Sequence, residues 1–163
     1  MEKQKKLLNG KRVLIVDDEP DVLETLEDLL PMCLLTKALT FEKARDYLQT
    51  ESFDIAILDI MGVNGYELLA LARQHQVISV MLTARALSPE DVKKSYIKGA
   101  SFYIPKEEML NIDSFLEDVL EALEKGKDPW SRWVERMAGF CEKTFGPKWQ
   151  EKDPEFWDKF PFY

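Results

Sequence analysis

The sequence predicts an α/β protein: a doubly wound parallel sheet of five βα units in the strand order 2-1-3-4-5, followed by a C-terminal helical extension. Three observations support this. Short apolar, β-branched runs alternate with segments of helical period through the first two thirds of the chain. Acidic residues stand at the C-terminal ends of two of those runs, where open α/β sheets place their ligands. Beyond Lys125 the composition turns strongly aromatic.

The elements follow in order. Arg12 to Asp17 is an apolar run of the kind buried in parallel sheets, and a helical stretch runs from about Pro20 to Leu30. Cys33 to Ala38 forms the second strand, Phe41, Ala44, Arg45 and Leu48 mark the second helix, and Phe53 to Leu58 makes the third strand. Tyr66 to Gln74 is helical, Val77 to Leu82 extended, Pro89 to Lys98 helical, Phe102 to Ile104 a short strand and Ile112 to Leu123 the fifth helix. Gly126 can end that helix, while Asp128 and Pro129 suit the start of another, so one domain is expected over residues 10–124 and an extension over 125–163. Trp133, Val134, Met137, Phe140 and Cys141 keep a helical period until Gly146 and Pro147, and Asp153 with Pro154 opens a shorter turn.

Composition narrows the functional classes. A chain of 163 residues, 45% of them hydrophobic, suffices for one domain with a core and is short for two. The apolar runs are strand-sized, far below the roughly 20 residues that cross a bilayer, and the lysines at the N-terminus lack a following apolar region. A cytoplasmic protein without membrane contact is therefore expected. Cys33 and Cys141 have no metal-ligand spacing and read as reduced thiols. A net charge of −8 disfavours direct DNA binding, which depends on clustered Lys and Arg. His75 ends a helical segment without a partner in sequence and reads as a surface or capping residue.

Asp17 and Asp18 follow the first strand and Asp59 follows the third, so the strand order brings them to one crevice. Three adjacent carboxylates repel unless a cation or hydrogen bonds compensate. Magnesium suits an oxygen-rich pocket without His or Cys, and Asp59 is then the candidate nucleophile toward the phosphorus of a phosphohistidine or small phosphodonor. A nearby Lys would help to neutralise the charge gathering on the equatorial oxygens.

From Val13-Leu-Ile-Val-Asp-Asp-Glu-Pro20 through Asp59, Met81-Leu-Thr-Ala84 and Gly99-Ala100 to Tyr103 and Lys106, the chain resembles the response-regulator receiver family, over about residues 10 to 124. The resemblance implies a flavodoxin-like fold and two-component signalling, with a sensor histidine kinase or phosphotransfer protein as phosphodonor. It implies that Asp17, Asp18 and Asp59 serve a magnesium ion, with the Met61 backbone carbonyl as a further ligand. By the same resemblance Asp59 is the phosphoacceptor, Thr83 and Lys106 hold the phosphoryl oxygens, and Thr83 with Tyr103 forms a switch pair. Small Ala84 leaves clearance there, while Arg85 and Met61 stand where dephosphorylation is tuned. The protein would catalyse only its own phosphorylation and dephosphorylation.

Two departures from the family pattern stand out. Asp59-Ile-Met-Gly-Val-Asn-Gly65 is two residues shorter than the usual loop and lacks its proline, and the usual Lys-Pro pair is inverted as Pro105-Lys106. An aspartyl-phosphate phosphatase of the haloacid-dehalogenase type would need an Asp-x-Asp motif that the chain lacks. A degenerate receiver, acting as a phosphorylation-independent protein-binding module, is the alternative.

All four tryptophans, five of nine phenylalanines and Tyr163 lie beyond Gly126, among eight basic and seven acidic residues counted from Lys125. So many rings require burial, either as a lid on the chain's own domain or at a dimerisation or docking surface. The extension is too short and too evenly charged for a winged helix-turn-helix, so output by contact with a downstream protein is expected.

Overall fold

A computed structural model of the chain describes residues 7–83 and 88–160. Ala84 and Arg85 lie outside the described residues. Five parallel strands form one sheet in the order β2-β1-β3-β4-β5: β1 Arg12–Val16, β2 Leu34–Ala38, β3 Ile55–Asp59, β4 Ile78–Thr83 and β5 Phe102–Pro105. Between them run α1 Pro20–Leu29, α2 Phe41–Thr50, α3 Gly65–Gln74 and α4 Pro89–Ile97. A 3-10 turn over Lys106–Asn111 leads into α5 Ile112–Glu124. The expected α/β class and strand order are both found.

β3 is buried at all five positions and β1 at four of five, because helices cover both faces of the sheet centre and continuous apolarity is then favourable. α1 starts at Pro20, whose missing N–H would be unpaired in a first turn anyway, and buries Val22, Leu23 and Leu26. Ser88 caps α4 by accepting from the Asp91 N–H. Three strands run past their expected ends, through Asp59, Thr83 and Pro105, since ladder pairing of Asp59 with Leu82 and of Thr83 with Pro105 continues beyond the expected runs. The fold also reaches back before Gly10: Leu8 is fully buried and its N–H donates to Glu117 Oε2 at 3.0 Å.

After Glu124 come α6 Trp130–Phe145, a 3-10 turn over Trp149–Lys152 and α7 Pro154–Trp157. This extension packs on its own sheet. The indole N–H of Trp130 donates to the Ala100 carbonyl and that of Trp133 to the Tyr103 carbonyl, both at 2.7 Å. Arg132 pairs with Asp118 at 3.2 Å and with Glu121, and Arg136 Nε lies 2.9 Å from Asp118 Oδ2. Tyr96 of α4 meets the rings of Trp130, Phe156 and Phe160 edge-on at 5.6, 5.8 and 4.9 Å. Burying a ring of this size removes about 150–250 Å² from water, roughly 4–6 kcal/mol before ordering entropy is subtracted. Of the two ways of burying these rings, packing on the chain's own domain is the one found. No helix among the described residues is long and apolar enough to cross a membrane.

Candidate functional site

The C-terminal ends of β1, β3 and β4 and the turn after β5 meet in a cleft of about 280 Å³, lined by Asp18, Glu19, Asp59, Met61, Gly62, Thr83 and Lys106. Each side chain arrives by a short route. The Asp17 N–H still pairs with the Ala38 carbonyl, which fixes Asp17 as the last residue held by the sheet, and its Oδ1 accepts from the Glu19 N–H at 2.9 Å. Asp17 is wholly buried, whereas Asp18 and Glu19 are exposed at the mouth. Asp59 closes β3 and is 6% exposed, and Thr83 closes β4 at 5%. Thr83 does not cap α4, a role taken by Ser88.

Oxygens of Asp17, Asp18 and Glu19 lie within 4.8 Å of one another. Glu19 is the member that the sequence reading missed, although it is the third acid of the run after β1. Lys106 answers this charge. Its Nζ lies 2.8 Å from Asp17 Oδ2, 2.8 Å from Glu19 Oε1 and 3.9 Å from Asp59 Oδ1. The inversion to Pro105-Lys106 therefore leaves the ammonium in the cleft, since buried Pro105 completes β5 and Lys106 opens the turn beyond it.

The shortened loop has a physical explanation. Asn64 adopts a left-handed conformation (φ 53°, ψ 56°), which reverses the chain in few residues. A Cβ on Gly65 would stand 2.1 Å from the Asp59 carbonyl oxygen, and one on Gly62 2.4 Å from Asp18 Cγ. At Gly65 the obstacle is backbone and only glycine permits the approach, whereas at Gly62 the exposed Asp18 carboxylate would have to turn aside. The Gly62 N–H in turn donates to Asp59 Oδ2 at 3.3 Å. Met61 borders the cleft and is 71% exposed.

Burial raises the Asp59 carboxyl to about 6, with the Asp17 charge adding to it and Lys106 opposing. Burial likewise raises Asp17 against its bonds to Lys106 and Glu19. The bond to Lys106 holds Glu19 below its ordinary value. Burial pulls Lys106 down, yet its bonds to Asp17 and Glu19 outweigh this and leave it raised. Four acids thus face one ammonium, with neither His nor Cys among the lining residues. This donor set fits a hard divalent cation better than a thiophilic one.

Tyr103 pairs with Met81 and Thr83 with Pro105, so Tyr103 and Thr83 lie two positions apart on one side of the sheet. Tyr103 is 1% exposed, and burial, then Asp91 and Tyr66, raises its phenol. His75 is an exposed residue at the C-terminal end of α3, the surface and capping position expected of it.

The model of the response regulator receiver domain family matches residues 13–119. Among curated proteins, the chain is 36% identical over 103 residues to a two-component response regulator, ARR18, of Arabidopsis thaliana, covering 60% of this chain and 16% of that protein. It is 37% identical over 99 residues to the heme response regulator HssR of Staphylococcus saprophyticus, covering 57% of this chain and 43% of that protein. The chain thus spans less than half the length of these relatives. Among solved structures, a CheY-like receiver domain protein of Methanospirillum hungatei superposes with a TM-score of 0.65 at 26% identity, over 72% of this chain and 99% of the other. The response regulator DrrB of Thermotoga maritima does so with a TM-score of 0.60 at 26% identity, over 73% and 55%.

Proposed function

The chain belongs to the response regulator receiver domain family, and from this we propose that Asp59 accepts a phosphoryl group from a histidine kinase phosphohistidine, a phosphotransfer protein or a small phosphodonor. The observation that carries the reading is the buried Asp59 carboxyl, raised to about 6, in a cleft with Lys106 Nζ 3.9 Å away. Above that pH the group is a carboxylate, the form able to attack. An Asp59 oxygen forms the new P–O bond while the P–N bond to imidazole, or the P–O bond to acetate, breaks. The leaving group keeps the electron pair, and imidazole takes up a proton from water.

Asp17, Asp18 and Asp59, with Glu19 beside them and the Met61 carbonyl as a further donor, would hold a magnesium ion that supplies charge neutralisation at the phosphoryl oxygens. Lys106 leaves Glu19 to pair with a phosphoryl oxygen, and the Thr83 hydroxyl donates to another. Thr83 and Tyr103 then act as a two-state pair whose shift is felt across β4, β5 and α4. In this reading residues 10–124 are the receiver unit, and 125–163 an extension packed on it. The output is contact with a downstream protein.

The test is intact mass after incubation with acetyl phosphate and magnesium. A gain of one phosphoryl group, absent in Asp59→Asn, is expected. No gain in the wild-type chain under conditions that label a control receiver would leave the phosphorylation-independent binding module as the better account.

A further inference from the structure

A second concavity lies away from the acidic cleft, between α4 and the C-terminal turns. Its volume is about 310 Å³, at the small end of ligand-sized sites, and its walls include Ile97, Trp149 and Trp157. Ile97 is 60% exposed at its edge. Around these apolar surfaces stand four lysines, Lys93, Lys94, Lys98 and Lys152, against only Glu90 and Asp153. This is a local positive excess on a chain whose net charge is −8.

The four lysines are not equivalent. Lys93 is bound to Asp153 at 2.6 Å and sits over the Phe156 ring, and Lys94 lies 4.4 Å from the Tyr66 ring centroid. Lys98 and Lys152 are exposed and make no ion pair among the described residues. The groove therefore presents a small apolar seat with two uncommitted cations at its rim. We propose that it docks an acidic peptide segment carrying a bulky apolar anchor, the anchor against Trp149, Trp157 and Ile97 and the acids toward Lys98 and Lys152.

Charge complementarity favours this occupant over a nucleic acid or a lipid surface. A polyphosphate needs an uninterrupted basic track, and Glu90 and Asp153 interrupt this one within an acidic protein. A concave seat for one or two side chains also suits a peptide better than a flat bilayer. Rim ion pairs contribute little each, so the buried anchor supplies the affinity and the acids supply the selection. Both walls must be present, because α4 belongs to the receiver and Trp149 and Trp157 to the extension. A ligand there consequently bridges the two parts.

The test is selection of random dodecamer peptides displayed on phage against the full chain at physiological salt, followed by calorimetry with the most enriched synthetic dodecamer. Enrichment of acidic sequences with a Trp, Phe or Leu is expected. Binding should weaken by about ten-fold or more in Lys98→Glu/Lys152→Glu and in Ile97→Asp. Lys43→Glu, on α2, should leave it unchanged, as should Asp59→Asn, which separates this result from the fate of the phosphoacceptor reading. Enrichment without acids, binding indifferent to the Lys98 and Lys152 changes, or tighter Lys98-dependent binding of single-stranded RNA or phosphatidylserine vesicles would overturn the proposal. Circular dichroism of each variant distinguishes lost binding from lost folding.

Discussion

Asp59 carries a charge that its surroundings oppose, and this gives a signed pH dependence. The carboxyl titrates near 3.8 in an unfolded chain and at about 6 in the fold, so the folded state binds the extra proton between those values. Stability contributed by this group is complete below about 3.8 and is lost as the pH rises through about 6. Asp59→Asn should therefore raise stability at pH 7.5 in a chelating buffer, by roughly 1–2 kcal/mol after solvent screening, with the gain gone near pH 4. Urea unfolding at the two pH values checks this, and an equal gain at both would refute it. Glu19→Gln removes one partner of Lys106 and should speed labelling by acetyl phosphate, read as the rate of mass gain; slower labelling would mean that Glu19 serves the cation more than it restrains the lysine.

Two glycines test local geometry in opposite directions. Gly65→Ala puts a Cβ against the Asp59 backbone and should cost roughly 1–3 kcal/mol or more. Gly139→Ala, in the middle of α6 with open space around it, should stabilise by about 0.5–1 kcal/mol. Chemical denaturation of both variants reads the contrast.

At the scale of elements, the alternation of strands and helices was legible because every strand but the edge strand β2 is a short apolar run and each helix repeats its apolar positions. The ends of β3 and β4 were less so: Asp59 and Thr83 are polar, and only the neighbouring strand keeps them in the ladder. Glu19 was hidden for a related reason, since it gains its role from Lys106, 87 residues away in sequence. The loop after Asp59 announced its shortness but not its remedy, which needs the Asn64 backbone and the close approaches of Gly62 and Gly65. For α6, Trp133→Phe keeps an aromatic ring yet removes the indole N–H that pairs with the buried Tyr103 carbonyl, at a cost of about 1–3 kcal/mol. A urea midpoint unchanged by that substitution would count against the bond as a fastening of the extension.

For the whole molecule, composition signalled that the C-terminal rings need burial but could not say against what. The answer lies in α4, β5 and α5, which receive Trp130, Trp133 and the two arginines. A chain ending at Glu124 should expose the surfaces around Tyr96 and Phe102 and self-associate, as light scattering after gel filtration would show. A truncated chain as dispersed as the full one would mean that the covered face is tolerant of water.

The seating of the indoles also turns the extension into an optical gauge of its own attachment. No tryptophan precedes Trp130, so ultraviolet emission excited at the indole band arises wholly from the C-terminal segment. Two of those fluorophores sit dry, 2% exposed, with their N–H groups tied to β5 and its approach. Detachment would hydrate them and shift their emission to the red, a spectroscopic signal that requires no label.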